Sequence, residues 1–342
     1  MVFAARPGSA NTPTMTGLRR FPRSAALAAV FAILPPFAFA EQAVAPPQVT
    51  ASSVFVMNAD TGQVLYAKAE NRPFRLHSIT KLITAYVLMQ RMGDRLYEEV
   101  TVTPAHIAGG STAGLRKGDV WTLESLLYGM LLVSGNDAAL AIADRVGRAI
   151  LTDEKKRGNA KTRFVQEMRK AAADLGAKNA RFADPHGLSP ANVATARDVV
   201  TLAATIFRDP RLLPFYECKR RLVEIGGPAA RTITLDSTIE ILEEDNILAA
   251  KTGSHVTRNI YNLVTAWRAP NGETIVAVVL GSADHPARYR DMRALLAAVP
   301  QDFADLAAPS NAAQSQKVAT CPSAAPIPTK PQGTGSGFPG RP

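Results

Sequence analysis

The chain has few cysteines, no metal-ligand spacing and no long hydrophobic run, and each shortage excludes a class of protein. It contains two cysteines, Cys218 and Cys321, too few for a disulfide-built scaffold, although one disulfide in an oxidising compartment remains open. The five histidines show neither H-E-x-x-H nor cysteine-paired spacing, so we expect no metal and no other cofactor. There is no G-x-S-x-G elbow, so an activated serine would need another base.

The apolar stretch near the N-terminus is too short to span a bilayer. Three arginines, at positions 19, 20 and 23, precede an apolar segment over residues 25–37, and Ala-Phe-Ala ends at Ala40. Pro35 and Pro36 interrupt the segment, which is shorter than the roughly 20 residues that a bilayer requires. We therefore predict a cleaved signal peptide over residues 1–40 and an exported, periplasmic protein, rather than a retained anchor.

Charge and composition limit the partners of the remainder. The N-terminal segment carries four arginines and no acidic residue, and so accounts for four of the ten units of net positive charge. No dense Lys/Arg stripe occurs, so we predict no nucleic-acid binding. Residues 301–342 are rich in Ala, Pro, Ser and Gly with little to bury, which predicts a disordered tail without a membrane-binding helix. We expect one folded domain over residues 41–300 and no stable membrane anchor.

Within that domain the hydrophobic pattern changes from strand to helix and back. Residues 54–57 and 64–67 are predicted to form one hairpin, and residues 262–267 and 274–280 a second one through Asn271-Gly272. Helical periodicity occupies the middle of the chain and its end: from Ser78, 123–132, 137–146, 164–175, 195–207 and 291–298. The prediction is an α/β (α+β) domain, with a mainly antiparallel sheet flanked by helices and an all-helical subdomain.

One motif at the start of the first helix has the spacing that serine activation requires. In Ser78-Ile79-Thr80-Lys81 the three-residue separation places both side chains on one helix face. A lysine acts as a base only when it is neutral, which requires burial or a neighbouring positive charge. Ser78 is therefore the candidate nucleophile and Lys81 its candidate base.

Two further motifs that could complete the site follow the first one along the chain. Ser134-Gly135-Asn136 interrupts a helical run and is predicted to be a corner between two helices, while Lys251-Thr252-Gly253 precedes the second hairpin and is predicted to lie on a strand. Lys251 could supply the positive charge near Lys81. Backbone N–H groups of Ser78 and Ser254 are candidates for an oxyanion hole.

The three motifs, taken together, resemble those of the penicillin-binding D-alanyl-D-alanine carboxypeptidases, low-molecular-weight serine peptidases of the bacterial cell wall. The resemblance extends over about residues 53–296 and includes further blocks at residues 61–66, 134–139, 185–188, 195–198 and 278–281. It implies the fold of the serine β-lactamases and transpeptidases. It also implies a substrate, the peptidoglycan stem peptide ending in D-Ala-D-Ala, and covalent inhibition by β-lactam antibiotics.

The same resemblance implies a role for each motif residue. Ser78 would be acylated, Lys81 would be the general base, and Ser134 with Lys251 would relay a proton to the leaving D-alanine. The substrate-binding residues would be Asn136, for the peptide amide, together with Thr252, Gly253, Ser254 and Arg288 near the terminal carboxylate. His186 is expected to shape a loop rather than to take part in catalysis.

Three alternative functions remain open, two of them with the same chemistry. A D,D-endopeptidase would cut cross-links between stem peptides with the same residues. A β-lactamase would need a carboxylate that activates the deacylating water, and Glu167 is the candidate, although its helical context predicts a solvated surface residue. A non-catalytic wall-binding protein would not require Ser78 and Lys81 to be intact.

Overall fold

The computed structural model of the protein describes residues 47–299, which form part of one compact unit. The predicted signal peptide and tail, and Cys321, lie outside the described residues, whereas Cys218 is buried and disulfide-bonded. In this part of the chain there are eleven strands: β1 (Ser53–Asn58), β2 (Val64–Lys68), β3 (Phe74–Arg75), β4 (Glu99–Thr101), β5 (Val120–Thr122), β6 (Val193–Ala194), β7 (Arg220–Ile225), β8 (Arg231–Asp236), β9 (Ile247–His255), β10 (Ile260–Arg268) and β11 (Thr274–Ser282).

The same residues form seven α-helices, joined in places by short 3-10 turns. They are α1 (Lys81–Met92), α2 (Leu123–Leu131), α3 (Asn136–Asp153), α4 (Ala160–Asp174), α5 (Ala196–Ile206), α6 (Leu213–Glu217) and α7 (His285–Ala297). Two of the helices begin with side-chain caps: the side chain of Thr122 accepts from the N–H of Ser125 at the start of α2, and Thr195 forms a capping box with Asp198 at the start of α5.

A five-stranded antiparallel sheet in the order β2-β1-β11-β10-β9 organises the domain. Both predicted hairpins, β1–β2 and β10–β11, belong to it, and the central strand β11 is buried on both faces. Side chains of a strand alternate between faces, so Val276 and Val278 join the larger core with α1 and α5, while Ala277 and Val279 pack with α7. The predicted class, an antiparallel sheet with flanking helices and a helical subdomain, is confirmed.

The helices divide between the sheet and the helical subdomain. α7 packs on β10 and β11, and α5, which the sequence placed in the helical middle, contacts β1, β10 and β11 directly. α1 contacts α3, α4 and α5, so it connects the sheet side to the helices α2–α4. β9 is the edge strand next to the 3-10 turn before α1, and this edge is where the sheet and the helical subdomain meet.

Candidate active site

Ser78 lies in a 3-10 turn, His77–Thr80, that leads directly into α1. The sequence predicted the start of an α-helix at this point. A 3-10 helix has three residues per turn, so it stacks side chains that are three positions apart more directly than an α-helix does. The left-handed backbone of His77 (φ 49°) turns the chain just before the serine. A side chain at Gly187 would come within 1.9 Å of the His77 carbonyl oxygen, so a neighbouring loop supports this turn closely.

Lys81 is completely buried and its amine reaches three oxygen atoms. Nζ is 3.0 Å from Ser78 Oγ, 2.8 Å from Asn136 Oδ1 and 2.8 Å from the carbonyl oxygen of His186. The Asn136 amide is oriented by its own Nδ2, which donates to the carbonyl oxygen of Gly109 at 2.8 Å. Two of the three partners of Lys81 are therefore carbonyl oxygens, which can only accept.

This geometry determines where a neutral amine would place its lone pair. A neutral lysine has two N–H bonds, and the carbonyl oxygens of Asn136 and His186 take both of them. The lone pair then faces Ser78 Oγ, the one partner that can donate a proton. Burial, and secondarily the positive charge of Lys251, hold the pKa of Lys81 well below its ordinary value, against the opposing charges of Asp184 and Asp137.

The corner between α2 and α3 carries the second motif, as predicted. Ser134 adopts a left-handed backbone (φ 57°), and Gly135 leads into α3, whose first residue is Asn136. A side chain at Gly135 would come within 2.9 Å of the Ala113 nitrogen, so the corner has room only for glycine. The corner directs Asn136 to Lys81 and Ser134 to Lys251, whose Nζ donates to Ser134 Oγ at 3.1 Å.

The third motif lies on the edge strand β9, also as predicted. Lys251 is completely buried, and burial followed by repulsion from Arg288 lowers the pKa of Lys251 to about 7. Thr252 is buried, and its carbonyl oxygen also accepts from Lys251 Nζ, at 3.1 Å. A side chain at Gly253 would come within 2.4 Å of the Leu76 carbonyl oxygen, so this glycine allows β9 to pack against the turn that carries Ser78.

Ser254 and Arg288 meet at the end of β9. Arg288 Nη1 donates to Ser254 Oγ at 2.7 Å, and Nη2 contacts Tyr289 Oη at 3.0 Å and His285 Nε2 at 2.9 Å. Only 3% of Arg288 is exposed, yet none of the carboxylates in the described part of the chain forms an ion pair with it. A buried guanidinium held by neutral acceptors retains its charge for an anion.

Two aspartates that the sequence analysis did not assign to the site order the loops around it. Asp137, in the first turn of α3, accepts from Thr112 Oγ1 and from the N–H groups of Ala113, Leu115 and Ala138. The position of Asp137 directly after Ser134-Gly135-Asn136 could have identified it from the sequence, because an acidic side chain there stabilises the N-terminus of a helix.

Asp184 has the same role in the loop that carries the His186 carbonyl. Its carboxylate accepts from the N–H groups of His186, Gly187 and Ser189 at 3.0, 2.6 and 2.5 Å. Burial alone would raise the pKa of Asp184, but the hydrogen bonds from His186 and from these N–H groups outweigh it and bring the pKa to about 2. The loop thus presents a main-chain oxygen of His186 to Lys81, whereas the imidazole does not contact the lysine amine.

The arrangement can activate a serine without a metal ligand set. Among the described residues no group of three or more His, Cys, Asp or Glu side chains is placed to hold a metal ion. Ser78 faces an amine, a second amine contacts Ser134, and a guanidinium lies beyond Ser254. These groups suit nucleophilic attack on a carbonyl carbon next to a carboxylate.

Glu167 differs from its predicted solvated position. It lies in α4, is 7% exposed, and its carboxylate pairs with Arg91 and Arg163. Arg91 on α1 donates to Oε1, and Nη2 of Arg163 on α4 lies 2.9 Å from Oε2, so both carboxylate oxygens face guanidinium groups. Glu167 is therefore engaged in an ion-pair cluster between helices.

Within residues 47–299, none of the helices combines the length and the hydrophobicity needed to cross a bilayer.

Comparisons with known proteins agree with this geometry. The chain is 29% identical over 266 residues to a D-alanyl-D-alanine carboxypeptidase of a Streptomyces species, covering 73% of this chain and 87% of the relative. It is 30% identical over 263 residues to the D-alanyl-D-alanine carboxypeptidase DacA of Haemophilus influenzae, covering 74% of this chain but 62% of the relative's length. The crystal structure of the Streptomyces DD-transpeptidase superposes with a TM-score of 0.68 at 30% identity, covering 75% of this chain and 98% of that one.

The family assignment follows from the match to a whole family rather than from any single relative. The sequence profile of the D-alanyl-D-alanine carboxypeptidase family matches residues 40–284, more than half of the chain and every motif described above apart from Arg288. With the antiparallel sheet, the Ser78–Lys81 turn and the Lys251 strand in place, the chain belongs to the D-alanyl-D-alanine carboxypeptidase family of serine peptidases.

Proposed function

We propose that this protein is a serine D-Ala-D-Ala carboxypeptidase that removes the terminal D-alanine from peptidoglycan stem peptides through an acyl-enzyme on Ser78. The observation that carries the proposal is the setting of Lys81. Its amine is buried 3.0 Å from Ser78 Oγ, with two carbonyl oxygens occupying its other hydrogen-bonding positions. A neutral amine in this setting acts as a base toward the hydroxyl.

In the acylation step the Ser78 hydroxyl proton passes to Lys81 Nζ while Oγ bonds to the carbonyl carbon of the penultimate D-alanine. The N–H groups of Ser78 and Ser254 are our candidates for stabilising the resulting oxyanion. The C–N bond then breaks, and the leaving nitrogen takes a proton through Ser134 and Lys251, whose side chains are 3.1 Å apart. Because the pKa of Lys251 is about 7, this lysine can give up and regain a proton near neutral pH.

Recognition of the substrate falls to the remaining motif residues. The Asn136 side chain would bind the peptide amide, and Thr252, Gly253 and Ser254 would line the strand along which the peptide lies. Arg288 would bind the terminal carboxylate, because it is a buried cation for which the described part of the chain supplies only neutral acceptors. Water then attacks the ester carbonyl and gives its proton to the neutral Lys251, while Lys81 returns its proton to Ser78 Oγ as the acyl group leaves.

The cellular setting is part of the proposal. We place a cleaved signal peptide at residues 1–40, the catalytic domain at residues 41–300 and a Pro/Ser/Gly-rich tail at residues 301–342, which assigns the enzyme to the periplasm. A β-lactam, which presents a strained amide next to a carboxylate, would acylate Ser78 and trap the enzyme.

A D,D-endopeptidase is the second candidate, and one observation favours it. The D-alanyl-D-alanine endopeptidase of Escherichia coli is 27% identical over 229 residues, 63% of this chain. Both activities would use the same acyl-enzyme and would differ in the group that leaves: free D-alanine, or the side-chain amine of a neighbouring stem peptide. The substrate therefore has to be distinguished by its products.

The first experiment labels the full chain with a fluorescent penicillin. We expect one covalent adduct, lost in Ser78→Ala and in Lys81→Ala, and retained in Ser125→Ala, a matched serine variant on α2. Lys81→Ala should keep its circular dichroism spectrum. An unlabelled wild-type protein, or labelling of Lys81→Ala at the wild-type rate, would contradict the proposal.

The second experiment identifies the bond that is cut. Purified stem pentapeptide and a cross-linked dimer are incubated with the enzyme, and the products are weighed by mass spectrometry. Loss of one D-alanine from the pentapeptide is the result expected for a carboxypeptidase. Conversion of the dimer to monomers with an intact pentapeptide would instead assign an endopeptidase.

A further inference from the structure

His285 holds Arg288 in a way that depends on the charge of the imidazole. The two residues lie three positions apart at the start of α7, so their side chains share one face of the helix. Arg288 Nη2 is 2.9 Å from His285 Nε2. A guanidinium can only donate, so Nε2 must be the acceptor and the proton of a neutral imidazole must be on Nδ1.

The other contacts of Arg288 are neutral as well. Its Nη1 donates to Ser254 Oγ and its Nη2 to Tyr289 Oη, and the guanidinium carbon lies 4.7 Å from the centre of the Tyr289 ring. Tyr289 Oη also accepts from the N–H of Glu240 at 3.4 Å, which fixes this phenol in place. In addition, Nε of Arg288 is buried without a hydrogen-bond partner in the described part of the chain. The guanidinium is thus positioned by acceptors that leave its charge uncompensated.

We propose that His285 is a positioning residue: as a neutral acceptor it fixes Arg288 toward the substrate carboxylate, so protonation of His285 weakens substrate binding. The inference rests on the proposed function of the site and names a determinant of its specificity for a free terminal carboxylate. An imidazolium has two N–H donors and no acceptor. It would place an N–H and a positive charge against a guanidinium nitrogen 2.9 Å away, and Arg288 would have to move.

His285 lies at the surface of this cluster, where solvent reaches the imidazole. The side chain is 47% exposed. The carboxylate of Glu240 lies 3.9 Å from His285 Nδ1. The ring centres of Tyr261, on β10, and of Tyr289 lie 6.2 and 5.7 Å from the centre of the imidazole. The other charged groups that face His285 are Arg288 and the preceding Asp284, which caps α7. Histidine is the side chain that ordinarily changes charge between pH 5 and 8.

The test compares three variants on a stem pentapeptide with a free carboxylate, between pH 5 and 8, where that carboxylate stays ionised. We expect His285→Ala to raise KM about tenfold at pH 7.5 with kcat changed less than about twofold, the loss of one hydrogen bond to a charged group. His285→Gln retains a carbonyl acceptor without a titratable ring. It should keep KM within about threefold of the wild type and remove the rise of KM toward pH 5.

Controls separate this effect from a general change in charge or folding. Arg290→Gln removes a positive charge from an exposed position on the same helix and should leave KM and its pH profile unchanged. The C-terminal amide of the pentapeptide, used as a competitive inhibitor, should have the same Ki in the wild type and in His285→Ala. Arg288 contributes to the lowered pKa of Lys251, so kcat is followed beside KM in each variant, and a change confined to KM reports on His285.

Each outcome decides the inference. An active wild type with unchanged KM in His285→Ala, a KM that falls toward pH 5, or an amide Ki that rises as much as KM would overturn it while leaving the proposed function intact. A wild type that neither releases D-alanine nor takes the penicillin label would overturn both.

Discussion

Replacing Asn136 with aspartate tests whether Lys81 acts as a neutral amine. The change is nearly isosteric, and it places a negative charge on the oxygen that now accepts from Lys81 Nζ at 2.8 Å. A carboxylate at this position favours the ammonium form of Lys81, because an opposite charge within a few ångströms stabilises the charged state. The variant should therefore retain every atom of the base while removing its lone pair at neutral pH.

The expected magnitude follows from the distance. Coulomb's law for two unit charges 2.8 Å apart gives about 6 kcal/mol at an effective dielectric constant of about 20. Each 1.36 kcal/mol is a factor of ten in an equilibrium constant, so the neutral fraction of Lys81 at pH 7 would fall by up to about 10⁴. Burying the new carboxylate costs part of this energy. We expect the acylation rate to fall by about 10² to 10⁴.

The assay is the second-order rate of acylation by a fluorescent penicillin between pH 6 and 11. In Asn136→Asp the rate should rise tenfold with each pH unit until Lys81 deprotonates. The variant also loses the hydrogen bond from Asn136 to the Gly109 carbonyl oxygen, but a displaced loop would lower the rate equally at every pH. Asn58→Asp, a buried asparagine at the end of β1, controls for an added buried carboxylate and should acylate normally. Wild-type rates with an unchanged pH profile in Asn136→Asp would refute the neutral-amine reasoning.

Four further predictions address the strand, the loops and the β-lactamase alternative. Gly253→Ala should slow acylation at least tenfold and cost about 1–3 kcal/mol in the free energy of unfolding, because the added methyl would overlap the turn that carries Ser78. Lys251→Met should abolish turnover yet raise the free energy of unfolding at pH 7 by a few kcal/mol, on the order expected for a buried lysine with a lowered pKa. Asp184→Ala should lower the free energy of unfolding by about 2–4 kcal/mol and remove most of the acylation activity, whereas Asp184→Asn, which retains an acceptor oxygen, should lose less of both. Glu167→Gln should lower the melting temperature but leave the hydrolysis rate of the penicilloyl-enzyme unchanged.

The pH windows of two of these variants follow from the sign of each pKa change. The pKa of Lys251 is about 7 when folded and ordinarily about 10.4, so between these values the unfolded chain binds an extra proton and wild-type stability rises with pH. Lys251→Met should reduce that slope, and an unchanged slope would contradict the assignment. The pKa of Asp184 is about 2, below its ordinary value, so its contribution is complete above about pH 4 and is lost as the pH falls toward 2.

A matched variant controls for Gly253→Ala, and the lifetime of the penicilloyl-enzyme decides the prediction for Glu167→Gln. A side chain at Gly158 would meet only ordinary contacts, 3.6 Å from Leu151, so Gly158→Ala should leave both acylation and stability unchanged. Equal effects of the two glycine substitutions would show that the loss in Gly253→Ala is not due to the close approach of β9. A Glu167→Gln variant whose penicilloyl-enzyme persists much longer than the wild-type one would revive the β-lactamase reading.

The parts of the fold that the sequence predicted are those with local signals. The β1–β2 and β10–β11 hairpins have alternating apolar residues around strong turn residues, and the α2–α3 corner has Ser134-Gly135 within an apolar helical run. The β3–β6 pair has no such signal, since Phe74 bonds to a strand at Ala194 far along the chain. The β7–β8 hairpin was missed because its apolar alternation is incomplete: Leu222 lies on the exposed face beside Arg220 and Glu224.

Helix boundaries show the same limit. The closing helix was predicted from residue 291, where apolar periodicity begins, but α7 starts at His285. Asp284 caps it, and Pro286 occupies its first turn, which is a start signal that periodicity alone does not contain. The difference matters because the added turn carries His285 and Arg288. The contact of Arg288 with Ser254 depends on where β9 ends, which no local pattern of α7 records.

The burial of three basic side chains, Lys81, Lys251 and Arg288, explains why the two nearby aspartates are tied to main-chain N–H groups. Among residues 47–299 none of the three forms an ion pair with a carboxylate, although Asp137 and Asp184 are close enough to influence Lys81. A direct ion pair would stabilise the ammonium and remove the base. Asp137 and Asp184 instead accept from backbone donors, so each orders a loop while its charge is largely satisfied. The site thus retains buried basic groups without carboxylate partners, which is destabilising, and the large cores on both faces of the sheet offset this cost.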